Sequence, residues 1–310
     1  MIEQQSLFTI RPARIEDAQK VTDLIIASDI AEYGVPDCMI EDVIGIWEEV
    51  PIESNTWIIQ SEDAFVAYGY VEEMSKGRLD CYGFVHPDWY GKGARTLLLE
   101  QMEQCAATYI EDYENHGIKY ELNHVIPARN EKAIALFESK GYSYVRTYSR
   151  MVIEVNSVPE IIPTSNEVTL LPCDMERDAH GLFDAYTESF KDTRGYYEKP
   201  FDEWIQKVTT EVYDLSLWFV AYRGDELVGF IICKNFPEGT YVDLLGVKRS
   251  GRKMGIGASL LTTVFKESYQ RGISSVLLNV DSNSLTGANR LYENVGMKPM
   301  FQMSMYQKTN

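Results

Sequence analysis

Apolar residues alternate, and then recur at helical spacing, in the same sequence of patterns in each half of the chain. In the second half, Tyr241 to Val247 alternate and are apolar enough for a buried strand. Lys248 to Lys253 cannot extend it, because Ser250 and Gly251 interrupt the run and four of those six residues are cationic. From Ile256, the residues Leu260, Leu261, Val264 and Phe265 recur at helical spacing. A strand, a basic turn and a helix therefore follow one another, and Ser275 to Val280 predicts the next strand. Upstream, Val168 to Leu171 reads as a strand stopped by Pro172, and Asp178-Ala179 opens a helix. Leu217–Tyr222 and Leu227–Lys234 read as a hairpin across Arg223-Gly224-Asp225.

The first half carries the same order. Phe8 to Arg11 is a short strand ended by Pro12, and Ala18, Val21, Leu24 and Ile25 share a helical face. Thr56–Gln60 and Ala64–Val71 predict a hairpin, and Arg78–Val85 a further strand. The stretch VHPDWYGKGARTLLLEQM then aligns with the basic turn of the second half, Val85 against Val247. Between the halves, VNSVPEIIPTSNE (155–167) holds two prolines and no helical period, which reads as a linker. The restart at Val168 is an internal duplication, so the expected organisation is a domain over 1–155, a linker over 156–166 and a domain over 167–310.

The basic turn carries the candidate chemistry. Gly255 and Gly257 fall at a helix N-terminus, where the first backbone N–H groups have no intrahelical partner and the helix dipole favours an anion. Arg252 and Lys253 add positive charge beside them. In a chain of net charge −18, this cluster suits a pyrophosphate; glycines serving only a tight connection are the plainer reading. The stretch is not a P-loop, since the Gly-Lys-Ser/Thr ending is absent, and its glycine spacing does not fit a dinucleotide fold.

Composition excludes several classes. No apolar run approaches the ~20 residues of a membrane span, and the acidity argues against general nucleic-acid binding. It is uneven: residues 1–155 carry a net −14 and residues 156–310 a net −4. An acidic surface steers cationic amines, and it equally serves solubility. The five cysteines are odd in number and scattered, with no metal-ligand spacing, so neither a disulfide framework nor a metal site is expected. With no basic-then-apolar leader pattern, a reducing cytoplasm is the expected setting.

The spacing Arg252-x-x-Gly255-x-Gly257 after a strand ending in Val247 resembles the acetyl-CoA motif of the GNAT superfamily of N-acyltransferases. NSLTGANRLYENVGM (283–297) resembles that family's Asn…Ala…Leu-Tyr…Gly-Phe segment through Ala288, Leu291, Tyr292 and Gly296. It departs from it in two places: Ser284 stands where the family Asn is expected, with Asn283 one residue early, and Met297 replaces the terminal Phe. Tandem, mycothiol synthase-like GNAT proteins have such a duplicated architecture. The resemblance implies an α/β (α+β) fold of two tandem GNAT domains, each a mixed, mostly antiparallel sheet flanked by helices.

It also implies roles. The backbone of Met254, Gly255, Ile256, Gly257 and Ala258, with Arg252, Lys253 and Asn283, would bind acetyl-CoA, whose pantetheine arm would pair with main-chain groups of Leu245 and Val247. Tyr292 matches the family's general acid; core packing is the plainer role for it. Asp243, four residues before Val247, is placed by strand alternation on one face with Tyr241, Leu245 and Val247, as a base for the amine or as a solvated strand start. Glu188, Asp192 and Tyr196 lie where the family builds a substrate-side loop; packing on the core is again the plainer reading.

The first half departs from the motif. Tyr90 and Arg95 replace the first and last motif residues, Phe137 stands for Tyr292, and Cys81 for Asp243. It reads as a degenerate copy. The expected activity is N-acetylation of a small amine by the second half, without metal. The alternatives are a peptide or protein amine, a longer acyl group, or a CoA-binding module without turnover. The sequence leaves the acceptor and a homodimer open.

Overall fold

The computed structural model describes residues 7–193, 196–210, 212–236, 239–283 and 287–310. In chain order the first half holds β1 (Thr9–Arg11), α1 (Ala18–Tyr33), α2 (Ile40–Glu49), α3 (Ile52–Asn55), β2 (Thr56–Ser61), β3 (Ala64–Ser75), β4 (Arg78–Val85), α4 (Ala94–Asn115), β5 (Glu121–Pro127), α5 (Glu131–Ser139) and β6 (Ser143–Glu154). The second half repeats it with β7 (Val168–Pro172), α6 (Met175–Phe190), α7 (Phe201–Val208), β8 (Phe219–Arg223), β9 (Glu226–Phe236), β10 (Gly239–Val247), α8 (Ile256–Gln270), β11 (Ser275–Asp281), α9 (Ala288–Asn294) and β12 (Lys298–Thr309). The fold is mixed α/β with mostly antiparallel pairing, as the patterns predict. No helix among the described residues is long and apolar enough to cross a membrane.

Two compact units form, and the boundary between them passes through β6 and β12. One holds the described residues through Thr147 together with Gln302–Asn310; the other is Tyr148–Phe301. In the first unit the strand order is β1-β2-β3-β4-β5-β12, and in the second β7-β8-β9-β10-β11-β6. Within each, every pairing is antiparallel except β4 with β5 and β10 with β11. The sixth strand of each unit comes from the other half of the sequence. Residues 303–309 pair with β5 from Met303↔Pro127 to Thr309↔Glu121, and β6 pairs with β11 from Ser275↔Glu154 to Asp281↔Tyr148. Lys308 and Gln307 fasten the first exchange through Glu103 and Asn123.

Local chemistry sets the element ends. Asp174 caps α6 by accepting from the Glu176 N–H at 3.0 Å, and Asn130 caps α5 through the Ala133 N–H at 3.0 Å. In the second unit, Val228, Phe230, Ile231, Ile232, Leu260, Leu261 and Val264 are fully buried and pack α8 and α6 on opposite faces of the sheet.

Candidate active site

β10 and β11 part almost as soon as they meet. Their parallel pairing covers Thr240↔Val276 and Tyr241↔Leu277, yet β10 runs on to Val247 and stays paired with β9 as far as Val247↔Gly229. The Lys248 N–H donates to Val228 O at 2.8 Å, so by strand alternation the N–H groups of Val247 and Leu245 point away from β9, into the opening. A backbone edge with unmet donors and acceptors is a pairing surface for an extended ligand.

The N-terminus of α8 stands at the end of β10. Gly255 is its N-cap at φ 78°, and no side chain caps the helix, so the N–H groups of Ile256, Gly257 and Ala258 lack intrahelical acceptors. Lys253 adopts φ 66°, an uncommon conformation for a residue with a Cβ. Lys248 pairs with Glu226 at 3.6 Å, and Arg249 with Asp192. Arg252 and Lys253 are exposed and make no ion pair among the described residues. Charge, dipole and orphan N–H groups therefore converge on one anion site. Gly257 also packs against α9: a Cβ there would meet Leu291 Cδ2 at 2.9 Å, which the end of that side chain would have to yield. The linker also reaches this turn, with the Ser165 N–H donating to Met254 O at 3.0 Å.

Tyr292 lies on α9, next to that contact. It is 9 % exposed, and burial pushes its hydroxyl up to about 12, so it stays protonated and serves as a hydrogen-bond donor. Asn283 donates its N–H to Asp281 Oδ1 at 2.9 Å in the loop after β11. Asn289, which the motif reading did not single out, ties that loop through Asp281 O and Ser282 O at 3.2 and 2.9 Å. Ser284, the expected position of the family Asn, lies outside the described residues.

Asp243 is the extra residue of a β-bulge: Val242 pairs with Cys233 and Leu244 with Ile232. The bulge overturns the expected alternation. Tyr241, Leu244 and Gly246 share the face of Lys234 and Phe230, whereas Leu245 and Val247 lie on the opposite face with Val242. Asp243 accepts from Tyr213 OH at 2.7 Å and pairs with Lys234 Nζ at 3.1 Å. Tyr213 was not legible as a site residue, because it lies 30 residues upstream of Asp243 and outside any periodic element.

Glu188 and Asp192 meet a protein cation. Glu188 accepts from the Arg249 N–H at 2.9 Å, and Asp192 from the Arg249 guanidinium at 2.5 Å. Tyr196 stands 6.1 Å from the Tyr186 ring, which packs on Trp204 at 5.5 Å. Trp204 is buried, and its Nε1 has no hydrogen-bond partner among the described residues.

The corresponding place in the first unit has different side chains. β4 and β5 pair from Arg78↔Glu121 to Cys81↔His124 and then part. The space beyond is lined by Gly83, Arg95, Leu98, Met102, His124 and Phe137 and amounts to about 10 Å³, room for about one water. Gly93 keeps the left-handed N-cap of α4 at φ 91°. Arg95, at the position of Gly257, lies beside Glu32, Tyr33 and Tyr90, where burial lowers its pKa against the pull of those groups.

Comparison with known proteins bears on this geometry. Residues 179–297 match the model of the acetyltransferase (GNAT) family. The chain carries a GNAT acetyltransferase domain. A GCN5-related N-acetyltransferase from Sphaerobacter thermophilus is similar over 98% of this chain and 96% of its own, at 28% identity and a TM-score of 0.85. A tandem GNAT protein from the clavulanic acid biosynthesis pathway is similar over 97% and 98%, at 12% identity and a TM-score of 0.67. A GCN5-related glucosamine N-acetyltransferase region of a fungal multi-domain β-N-acetylglucosaminidase is similar over 97% of this chain and 38% of that one, at 14% identity and a TM-score of 0.69. The last two likenesses show the fold alone. No curated protein matches the chain. The GNAT match covers β10, the basic turn, α8, β11 and α9, the elements that build the opening.

Proposed function

We propose that this GNAT protein transfers an acetyl group from acetyl-CoA to a small amine, and that the second unit does so alone. The observation that carries the reading is the open edge of β10 ending at an uncapped, cation-flanked helix N-terminus. The N–H groups of Ile256, Gly257 and Ala258 would hold the pyrophosphate, with Arg252 and Lys253 beside it. The main chain of Leu245 and Val247 would pair with the pantetheine arm. Acetyl-CoA supplies an activated acetyl thioester.

The acceptor nitrogen attacks the thioester carbonyl carbon as a neutral amine, and the C–S bond breaks. Asp243 takes the proton that the nitrogen gives up, directly or through a water. Tyr292 donates a hydrogen bond to the sulfur as negative charge develops on it. With the hydroxyl near 12 and a thiol near 8.5, full proton transfer from Tyr292 would be uphill by roughly 5 kcal/mol. A hydrogen bond carries no such cost. Glu188 and Asp192 would face the acceptor from the substrate-side loop, and in this structure both contact Arg249.

Titration calorimetry of the full chain with acetyl-CoA tests the reading. One site per chain is expected, because Arg95 replaces the last motif glycine in the first copy. Two sites would mean that Arg95 does not close the first copy. No binding at millimolar ligand would end the acetyl-transfer reading.

A further inference from the structure

Two side chains fix the Asp243 carboxylate, and each takes a different oxygen. Tyr213 OH donates to Oδ2 at 2.7 Å, and Lys234 Nζ lies 3.1 Å from Oδ1. The same ammonium sits 4.6 Å from the centroid of the Tyr213 ring, so the three groups form a closed triangle. A carboxylate oxygen accepts at two lone-pair sites. Each oxygen of Asp243 therefore keeps one site for an approaching N–H or water, while its rotation is stopped.

The support behind the triangle is itself held. Tyr213 forms an isolated bridge with Lys234, and its ring meets Trp218 edge-on at 5.8 Å. Trp218 is buried and donates through Nε1 to Cys233 O at 3.0 Å. The next residue, Asp214, accepts from Asn235 at 2.6 Å and Arg271 at 3.1 Å. Burial, and then the charge of Asp243, raise the Tyr213 pKa, so the hydroxyl remains a donor.

The degenerate copy supplies an internal comparison. There β4 pairs with β3 without a bulge at this point, Val71↔Cys81 following Tyr70↔Tyr82 in regular register. Where the second copy has the bulged Asp243, the first has Cys81 in regular register.

We propose that Tyr213 and Lys234 are positioning residues that hold the Asp243 carboxylate at the bulge, turned toward the acceptor amine. This rests on the acetyl-transfer reading. It explains why a bulge, a lysine and a distant tyrosine meet at one acid: a carboxylate free to rotate accepts a proton in few of its orientations, and a fixed one is ready in each encounter.

Steady-state kinetics of the full chain, with acetyl-CoA and an amine that the wild type acetylates, tests the role. Tyr213→Phe and Lys234→Met should each lower kcat at least fivefold, with KM for acetyl-CoA within twofold of wild type. Lys234→Arg should recover most of that loss. In an Asp243→Asn background, adding Tyr213→Phe should change kcat less than twofold, because the group it acts through is gone. Wild-type kcat in Tyr213→Phe overturns the proposal, as does a loss that persists undiminished beside Asp243→Asn. Should Tyr213→Phe melt early, the Lys234→Met and Lys234→Arg pair decides. A wild type that acetylates no amine defeats the acetyl-transfer reading by itself. The geometry is then read from the Asp243 carboxyl 13C signal, which Tyr213→Phe should displace; an unmoved signal overturns the positioning.

Discussion

Single residues in this chain separate chemistry from packing. Tyr292→Phe removes one hydroxyl and keeps the ring, so kcat should fall at least tenfold while the calorimetric affinity for acetyl-CoA stays within about twofold. Equal kcat would take Tyr292 out of the mechanism. Gly257 behaves otherwise, because Leu291 already occupies the side where its Cβ would stand. Gly257→Ala should cost about 1 kcal/mol or less, because the close contact is with the movable end of Leu291, measured by urea unfolding before any effect on the ligand is considered. His124 gives the first unit a pH signature. Its ring is fully buried between Phe137 and Tyr142, at centroid distances of 4.7 and 5.0 Å, and burial pulls its pKa down to about 3. An unfolded histidine titrates near 6.5, so between these values the unfolded chain binds the extra proton. The stability from keeping this ring neutral is therefore complete above pH 6.5 and is lost as pH falls toward 3. From pH 8 to pH 5 the loss is about 2 kcal/mol. Urea titrations at both values should show it, and His124→Phe should remove that part of the slope.

Elements were legible where periodicity is strong. The spacing of Leu260, Leu261, Val264 and Phe265 places α8, whose observed span is Ile256–Gln270. The strand read over Thr56–Gln60 is β2, and the one read over Arg78–Val85 is β4. The basic turn also follows from sequence, since glycines, cations and a helix start leave a compositional trace. The bulge at Asp243 leaves none: one extra residue in a strand alters neither composition nor hydrophobicity, only register. Tyr213 was hidden for the same reason, because a lone bridge residue has no period to reveal it. Nor could the pattern show the exchange of β6 and β12. Neither strand was read from the pattern, and the choice of partner strand is a long-range matter. That exchange carries its own prediction. A chain ending at Phe301 leaves the β5 edge unpaired and loses the Lys308–Glu103 contact, so amides of β5 should lose hydrogen-exchange protection, and the truncated protein should self-associate. Protection in β5 equal to that of the full chain would contradict the pairing.

On the scale of the molecule, one sequence motif has been written twice and kept intact once. The second copy retains the open edge, the uncapped helix and a fixed carboxylate. The first has Arg95 and Phe137 at the positions of Gly257 and Tyr292, and it carries most of the net negative charge. Residues 148–154 of the first half supply the strand beside β11, and residues 302–310 of the second half complete the first unit's sheet in return. Without the other half, each sheet would lack its sixth strand. Deleting either half would expose a strand edge in what is left of the other, so the two halves are expected to be retained together.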